Sequence, residues 1–184
     1  MSIKDTVLIA LFAAIMAVLA IFPPITLPIV PTPITAQSLG VMLAGGILGA
    51  KRGFLSLVLF LFLVLIGLPL LPGGRGGVSV FFGVSSGFLL SWPIAALLMG
   101  YAVEKLWHQL SWAKVFSLCV LTGIGVVYII GVPWLAVMAN LSLTEAFMGS
   151  AVFIIGDLVK AAIATSVILT VSKAYPVIKA SSLR

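Results

Sequence analysis

The chain has 184 residues, 62% of them hydrophobic and only 8% charged, with a net charge of +6 and a mean hydropathy of +1.35. A soluble domain carries roughly a quarter charged residues, and at 19.2 kDa this chain lacks the interior volume to bury so much apolar surface. An ordinary water-soluble domain is excluded, and the basic residues form no dense patch of the kind that holds nucleic acid.

Lipid supplies the missing apolar contact. A transmembrane helix takes about 20 apolar residues, so the length suits about six spans with short loops. The expected fold class is therefore all-α integral membrane, a single polytopic domain over 1–184. The lone Cys119 cannot form an internal disulfide. The first apolar stretch exceeds a signal-peptide core and lacks a small-x-small cleavage site, so it reads as a mature helix.

In chain order, the first helix is expected over about 4–22. Five prolines follow (Pro23, Pro24, Pro28, Pro31 and Pro33), so 23–35 cannot be helical throughout. The second helix, about 36–50, is short and rich in glycine, which suits close helix contact. Lys51 and Arg52 read as a basic turn before a third helix over 53–67. A glycine-rich loop around Arg75 leads to a fourth helix over 82–103, interrupted by Pro93. A loop with Glu104, Lys105, His108 and Lys114 precedes the fifth helix, about 115–132. Residues 133–148, with Asn140 and Glu145, precede a sixth helix over 150–173.

With the N-terminus inside, the inner loops and ends hold Lys4, Lys51, Arg52, Lys105, Lys114, Lys173, Lys179 and Arg184, while the outer loops hold only Arg75. Positive charge stays cytoplasmic, so both termini are expected inside, in the plasma membrane. Trp107, Trp112 and Trp134 fall at helix ends and read as interfacial anchors.

Two ionisable residues fall within the sixth helix, Asp157 and Lys160. Each costs at least ~2.5 kcal/mol at mid-membrane, which marks a substrate or ion pathway. Their spacing of three places them on one helical face. Asp157 lies about 10 Å below the outer end of its helix. Thr35, Gln37, Arg75, Ser85, Ser86, Tyr128 and Asn140 are placed toward the same outer half, with Trp92 as a candidate wall. Together they describe a pocket for a compact ligand with a donor-rich polar ring and a carboxylate. Asp157 would accept N–H groups, and Lys160 or Arg75 would pair with the anionic tail.

The glycine run around Arg75 lacks the Gly-Lys-Ser/Thr of a phosphate loop, and no zinc-hydrolase or Ser-His-Asp pattern occurs. No enzyme activity and no cofactor are expected, and uphill movement of a solute needs a partner or an ion gradient. On the first helix, Ala10, Ala13, Ala14 and Ala17 give overlapping small-xxx-small spacings. Packing within the chain and docking of a partner helix explain them equally well.

Three stretches carry a family resemblance: PTPITAQSLGVMLAGGILGAKRG (31–53), LPGGRGGVSVFFGVSSGFLLSWP (71–93) and GDLVKA (156–161). They resemble BioY, the biotin-specific substrate-binding (S) components of energy-coupling factor (ECF) transporters. The resemblance implies a six-helix S-component fold that binds biotin near the outer face. Its implied partners are a transmembrane coupling subunit and two cytoplasmic ATPases. It implies that Asp157 and Lys160 contact the ligand and that the Ala-x-x-x-Ala face of the first helix meets the coupling subunit. The family usually reads Gly-Pro-Thr-x-Gly-Tyr where this chain has Gly83-Val84-Ser85-Ser86-Gly87-Phe88. An S component for riboflavin or thiamine, a small membrane enzyme, and a structural membrane subunit held by Asp157 and Lys160 are the alternatives.

Overall fold

A computed structural model describes residues 1–22 and 35–178; the five prolines of 23–34, Lys179 and Arg184 lie outside the described residues. The described residues are helical and form no sheet, with one isolated antiparallel bridge, Leu71 to Arg75. The helices are α1 (Ile3–Leu19), α2 (Gln37–Leu48), α3 (Ala50–Leu65), α4 (Ser86–Lys105), α5 (Trp112–Met138), α6 (Leu143–Ala151) and α7 (Ile154–Ala174). Among them α4, α5 and α7 are long and apolar enough to cross a membrane, and α2 is a shorter apolar helix.

The boundaries follow local chemistry that the hydrophobic pattern alone does not give. The turn between α2 and α3 sits at Gly49, with φ of +84°, and not at Lys51-Arg52. Both basic residues therefore fall in the first turn of α3, where they oppose the helix dipole. Glu104, reaching over from the end of α4, compensates: its Oε1 accepts the Ala50 N–H at 2.9 Å. The fourth helix begins at Ser86, after a 3₁₀ turn over Val78–Phe82.

The fifth helix does not stop before Pro133 but continues to Met138. Its middle, Cys119–Val126, is π-helical. The expected sixth helix is α7, starting at Ile154, and the segment expected to connect to it holds a further helix, α6, which ends at Ala151. A capping box of Ser142 and Glu145 starts α6: the Glu145 carboxylate accepts from the Ser142 hydroxyl at 2.6 Å and from its N–H at 2.8 Å.

The core lies where α2 and α4 cross, flanked by α1, α3, α5 and α7. Glycines permit the close approach. A Cβ on Gly100 would collide with the Ala50 backbone, and one on Gly53 would lie 2.8 Å from the Ala44 carbonyl. Phe60, Met16, Leu57 and Met99 are fully buried around these contacts.

One end of the bundle gathers the charged ends. Lys4 donates to the Tyr175 hydroxyl at 2.9 Å, Arg52 pairs with Asp5 at 3.4 Å, and Arg52 donates to the Val177 carbonyl at 3.3 Å. The α2–α3 turn, the end of α4 and both described ends of the chain therefore meet there.

Candidate functional site

The other end encloses a cavity of about 100 Å³. Its polar end is built by α2 and α7. Lys160 Nζ donates to Asp157 Oδ1 at 2.9 Å, to Ser38 Oγ at 3.0 Å and to the Thr35 carbonyl at 2.7 Å. Those three bonds use all three ammonium donors. Ser38 in turn donates to Asp157 Oδ1 at 3.1 Å. Asp157 Oδ2 accepts from the Tyr128 hydroxyl at 2.9 Å and keeps capacity for a further donor. Asp157 is 6% exposed, so burying its charge is tolerable only because Lys160 and two hydroxyls surround it.

Gln37 is fully buried beside this cluster. Its amide nitrogen donates to the Met16 carbonyl at 2.9 Å and the Leu70 carbonyl at 3.1 Å, tying α1 and the 66–77 loop to α2. Two acceptor partners fix which amide atom is nitrogen. The remaining atom, Gln37 Oε1, has no partner among the described residues.

The apolar wall comes from one face of α4. Phe88, Leu89 and Trp92 follow Ser85 at i+3, i+4 and i+7, and all four line the cavity. Trp92 packs against Phe60 with ring centroids 6.2 Å apart, and Phe88 meets Tyr128 edge-on at 6.0 Å. Gly123, Val127 and Phe153 close the far side.

At the mouth, the tight 71–75 loop, closed by the Leu71–Arg75 bridge, presents the exposed Arg75. Arg75 Nε donates to the Pro72 carbonyl at 3.2 Å. Its two terminal nitrogens make no hydrogen bond or ion pair among the described residues.

The structure thus brings together Asp157, Lys160, Arg75, Ser85, Tyr128 and Gln37. It does not bring in Ser86 or Asn140. The Ser86 hydroxyl is buried and donates to the Gly83 and Val80 carbonyls, closing the turn before α4. Asn140 is exposed with φ of +52°, ending α5 in the left-handed conformation that asparagine tolerates. Sequence reasoning missed Ser38, whose signal was a hydroxyl in the first turn of an otherwise apolar helix. Trp134 is more than an anchor, since its indole N–H donates to the Gly83 carbonyl at 3.1 Å.

The overlapping alanine pairs on α1 separate. Ala13 is buried and Ala17 half-buried against the chain's own core, whereas Ala10 and Ala14 are exposed beside Val7, Leu11 and Val18.

An all-helical bundle of strongly apolar helices enclosing one buried ion pair in a largely apolar cavity defines a membrane-embedded receptor for a small polar-headed ligand. A sequence model of the BioY family matches residues 1–177, and the chain belongs to that family. It is 45% identical to the biotin transporter BioY of Rhizobium etli, over 98% of this chain and 99% of that one. It is 44% identical to the probable biotin transporter BioY of Bacillus subtilis, over 92% and 91% of the two chains. A solved structure, the S-component for biotin from an ECF-type ABC transporter, superposes with a TM-score of 0.91 at 34% identity, covering 95% of this chain and 93% of that one.

Proposed function

We propose that this chain is the biotin-binding subunit of an ECF-type uptake transporter, a single polytopic unit of the plasma membrane that captures biotin from the outer side. The observation that carries this reading is the cavity's division into unmet acceptors and unmet donors. Biotin offers a cyclic urea with two N–H groups and one carbonyl, an apolar bicycle, and a carboxylate on a flexible chain. Asp157 Oδ2 and Gln37 Oε1 have acceptor capacity to spare, suited to the urea N–H groups. Trp92, Phe88 and Leu89 supply the apolar wall. Ser85 lines the cavity and is the hydroxyl for the urea carbonyl.

The carboxylate goes to Arg75. Lys160 has spent its donors on Asp157, Ser38 and Thr35, whereas the two terminal nitrogens of Arg75 at the mouth have no partner among the described residues. Calorimetric titration with biotin and with biotin amide tests this division. Arg75→Ala should weaken biotin about tenfold or more and the amide hardly at all, as expected for one lost charge-assisted contact. Equal losses for both ligands would remove Arg75 from the carboxylate.

In this reading the bundle crosses the membrane six times with both termini cytoplasmic. Support comes from the basic residues gathered at the end opposite Arg75. No catalytic chemistry is assigned to the chain, and ATP hydrolysis resides in two partner ATPases. The coupling subunit docks on α1 through the exposed pair Ala10 and Ala14, where small side chains let a helix approach. A structural role for Asp157 and Lys160 as glue between subunits is less favoured, because their partners Ser38, Thr35 and Tyr128 all belong to this chain.

A further inference from the structure

Gln37 opens α2 and lines the cavity, yet only its Oε1 is left for a ligand. Both amide hydrogens are spent on the Met16 and Leu70 carbonyls. The Met16 carbonyl belongs to the last turn of α1. The Ala20 N–H, which a continuing helix would give it, turns to the Ala17 carbonyl instead, so Gln37 fills the place of a helix partner. The Leu70 carbonyl belongs to the mouth. Among the described residues, its bond from Gln37 is the one hydrogen bond that ties 66–76 to a helix other than α3.

The position of Leu70 decides where Arg75 lies. The Leu71 N–H donates to the Arg75 carbonyl at 3.0 Å and the Arg75 N–H returns to the Leu71 carbonyl at 3.2 Å, so 71–75 is closed on itself. Gly73 and Gly74, both at positive φ, make that closure possible. The closed turn is attached one residue after Leu70. Leu71 also buries its side chain in the core, but apolar contact is non-directional and does not orient the turn. A hydrogen bond from a fully buried amide does.

We propose that Gln37 is a positioning residue for Arg75: its amide holds the mouth turn, and with it the guanidinium, in place against the cavity's polar end. The two ends of the cavity are then linked through one side chain. A ligand N–H on Oε1 fixes the amide plane in the orientation that donates to Leu70, which favours the placement of Arg75 that receives an anionic tail. The ligand's part in this rests on the proposed function, whereas the hold of Gln37 on the mouth turn does not.

The first measurement therefore needs no ligand. Amide hydrogen exchange is compared between the unaltered chain and Gln37→Met, which nearly keeps the side-chain length and removes both donors. A two-bond turn released from the bundle opens readily, so exchange at Leu71 and Arg75 should accelerate about tenfold or more while α4 is unchanged. Unaltered exchange at Leu71 and Arg75 would overturn the proposal.

The second measurement reads the positioning itself, through calorimetric affinities for biotin and biotin amide in the same two chains. If Gln37 met only the urea, its loss would weaken both ligands equally and leave their ratio untouched. A displaced Arg75 costs biotin more, so the preference for biotin over its amide, about tenfold in the unaltered chain, should fall to about twofold or less. Arg75→Ala added to Gln37→Met should change that preference no further. A preference retained in Gln37→Met would overturn the proposal. Gln37→Glu, which keeps the side-chain shape and can donate to one carbonyl at most, supplies both readings where Gln37→Met fails to fold. Failure of the unaltered chain to bind biotin would instead refute the proposed function, and the exchange measurement would still decide the role of Gln37.

Discussion

At the scale of single residues, the site is an exercise in satisfying one buried acid. Asp157 and Lys160 were legible because a charge inside an apolar helix is expensive wherever it falls. Their surroundings were not, since Ser38 and the Thr35 carbonyl reach Lys160 across more than a hundred residues of chain. Lys160→Ala leaves Asp157 a buried charge without its counterion, and Asp157→Asn does the converse. Either change should cost about 2–3 kcal/mol, below the 3–5 kcal/mol of a fully enclosed pair because the site opens to a cavity. The protein should remain folded in detergent while biotin binding is lost; unchanged calorimetric affinity would remove these residues from the site.

A second residue-scale prediction concerns Glu145, outside the apolar helices. The Ser142 hydroxyl, and then the Ser142 N–H, hold its carboxyl below the ordinary value of 4.5. The lowered folded value makes the cap stabilising above about pH 4.5. That stabilisation fades as pH falls through the lower folded value. Thermal unfolding followed from pH 6 downward should therefore steepen its decline there, and Ser142→Ala should flatten that part of the profile.

At the scale of elements, composition and periodicity reveal that helices exist and mislead about where they end. Lys51-Arg52 looked like a turn because it is polar, but Gly49 can adopt positive φ and Glu104 caps the new helix from a distance. Pro133 looked like a stop, yet α5 runs through it; in a bundle, neighbouring groups can meet the freed carbonyl. The π segment had no sequence signal beyond Gly123 and Gly125. The glycine content of the second helix did foretell close packing, and the same logic extends to α4. Gly100→Ala would drive a methyl group into the Ala50 backbone, which cannot yield as a side chain can. It should destabilise by about 1–3 kcal/mol or more. An unfolding midpoint equal to that of the unaltered chain would show that α2 and α3 can shift away from α4.

At the scale of the whole molecule, the chain divides its labour between two ends. One gathers Lys4, Arg52, Glu104 and both described ends of the chain; the other builds a cavity from α2, α4, α5 and α7. Strongly apolar composition was enough to announce a bundle of membrane helices, and the three stretches quoted above were enough to place it in its family. The split of the alanine pairs on α1 needed coordinates, because a spacing of four fixes a common face but not which way that face points.

The most direct test of the central claim is a calorimetric titration of the purified chain, without partners, against biotin, riboflavin and thiamine. Saturable one-to-one binding of biotin alone, lost in Asp157→Asn, is the predicted result. Absence of biotin binding by the folded chain, or preference for either of the other vitamins, would contradict it.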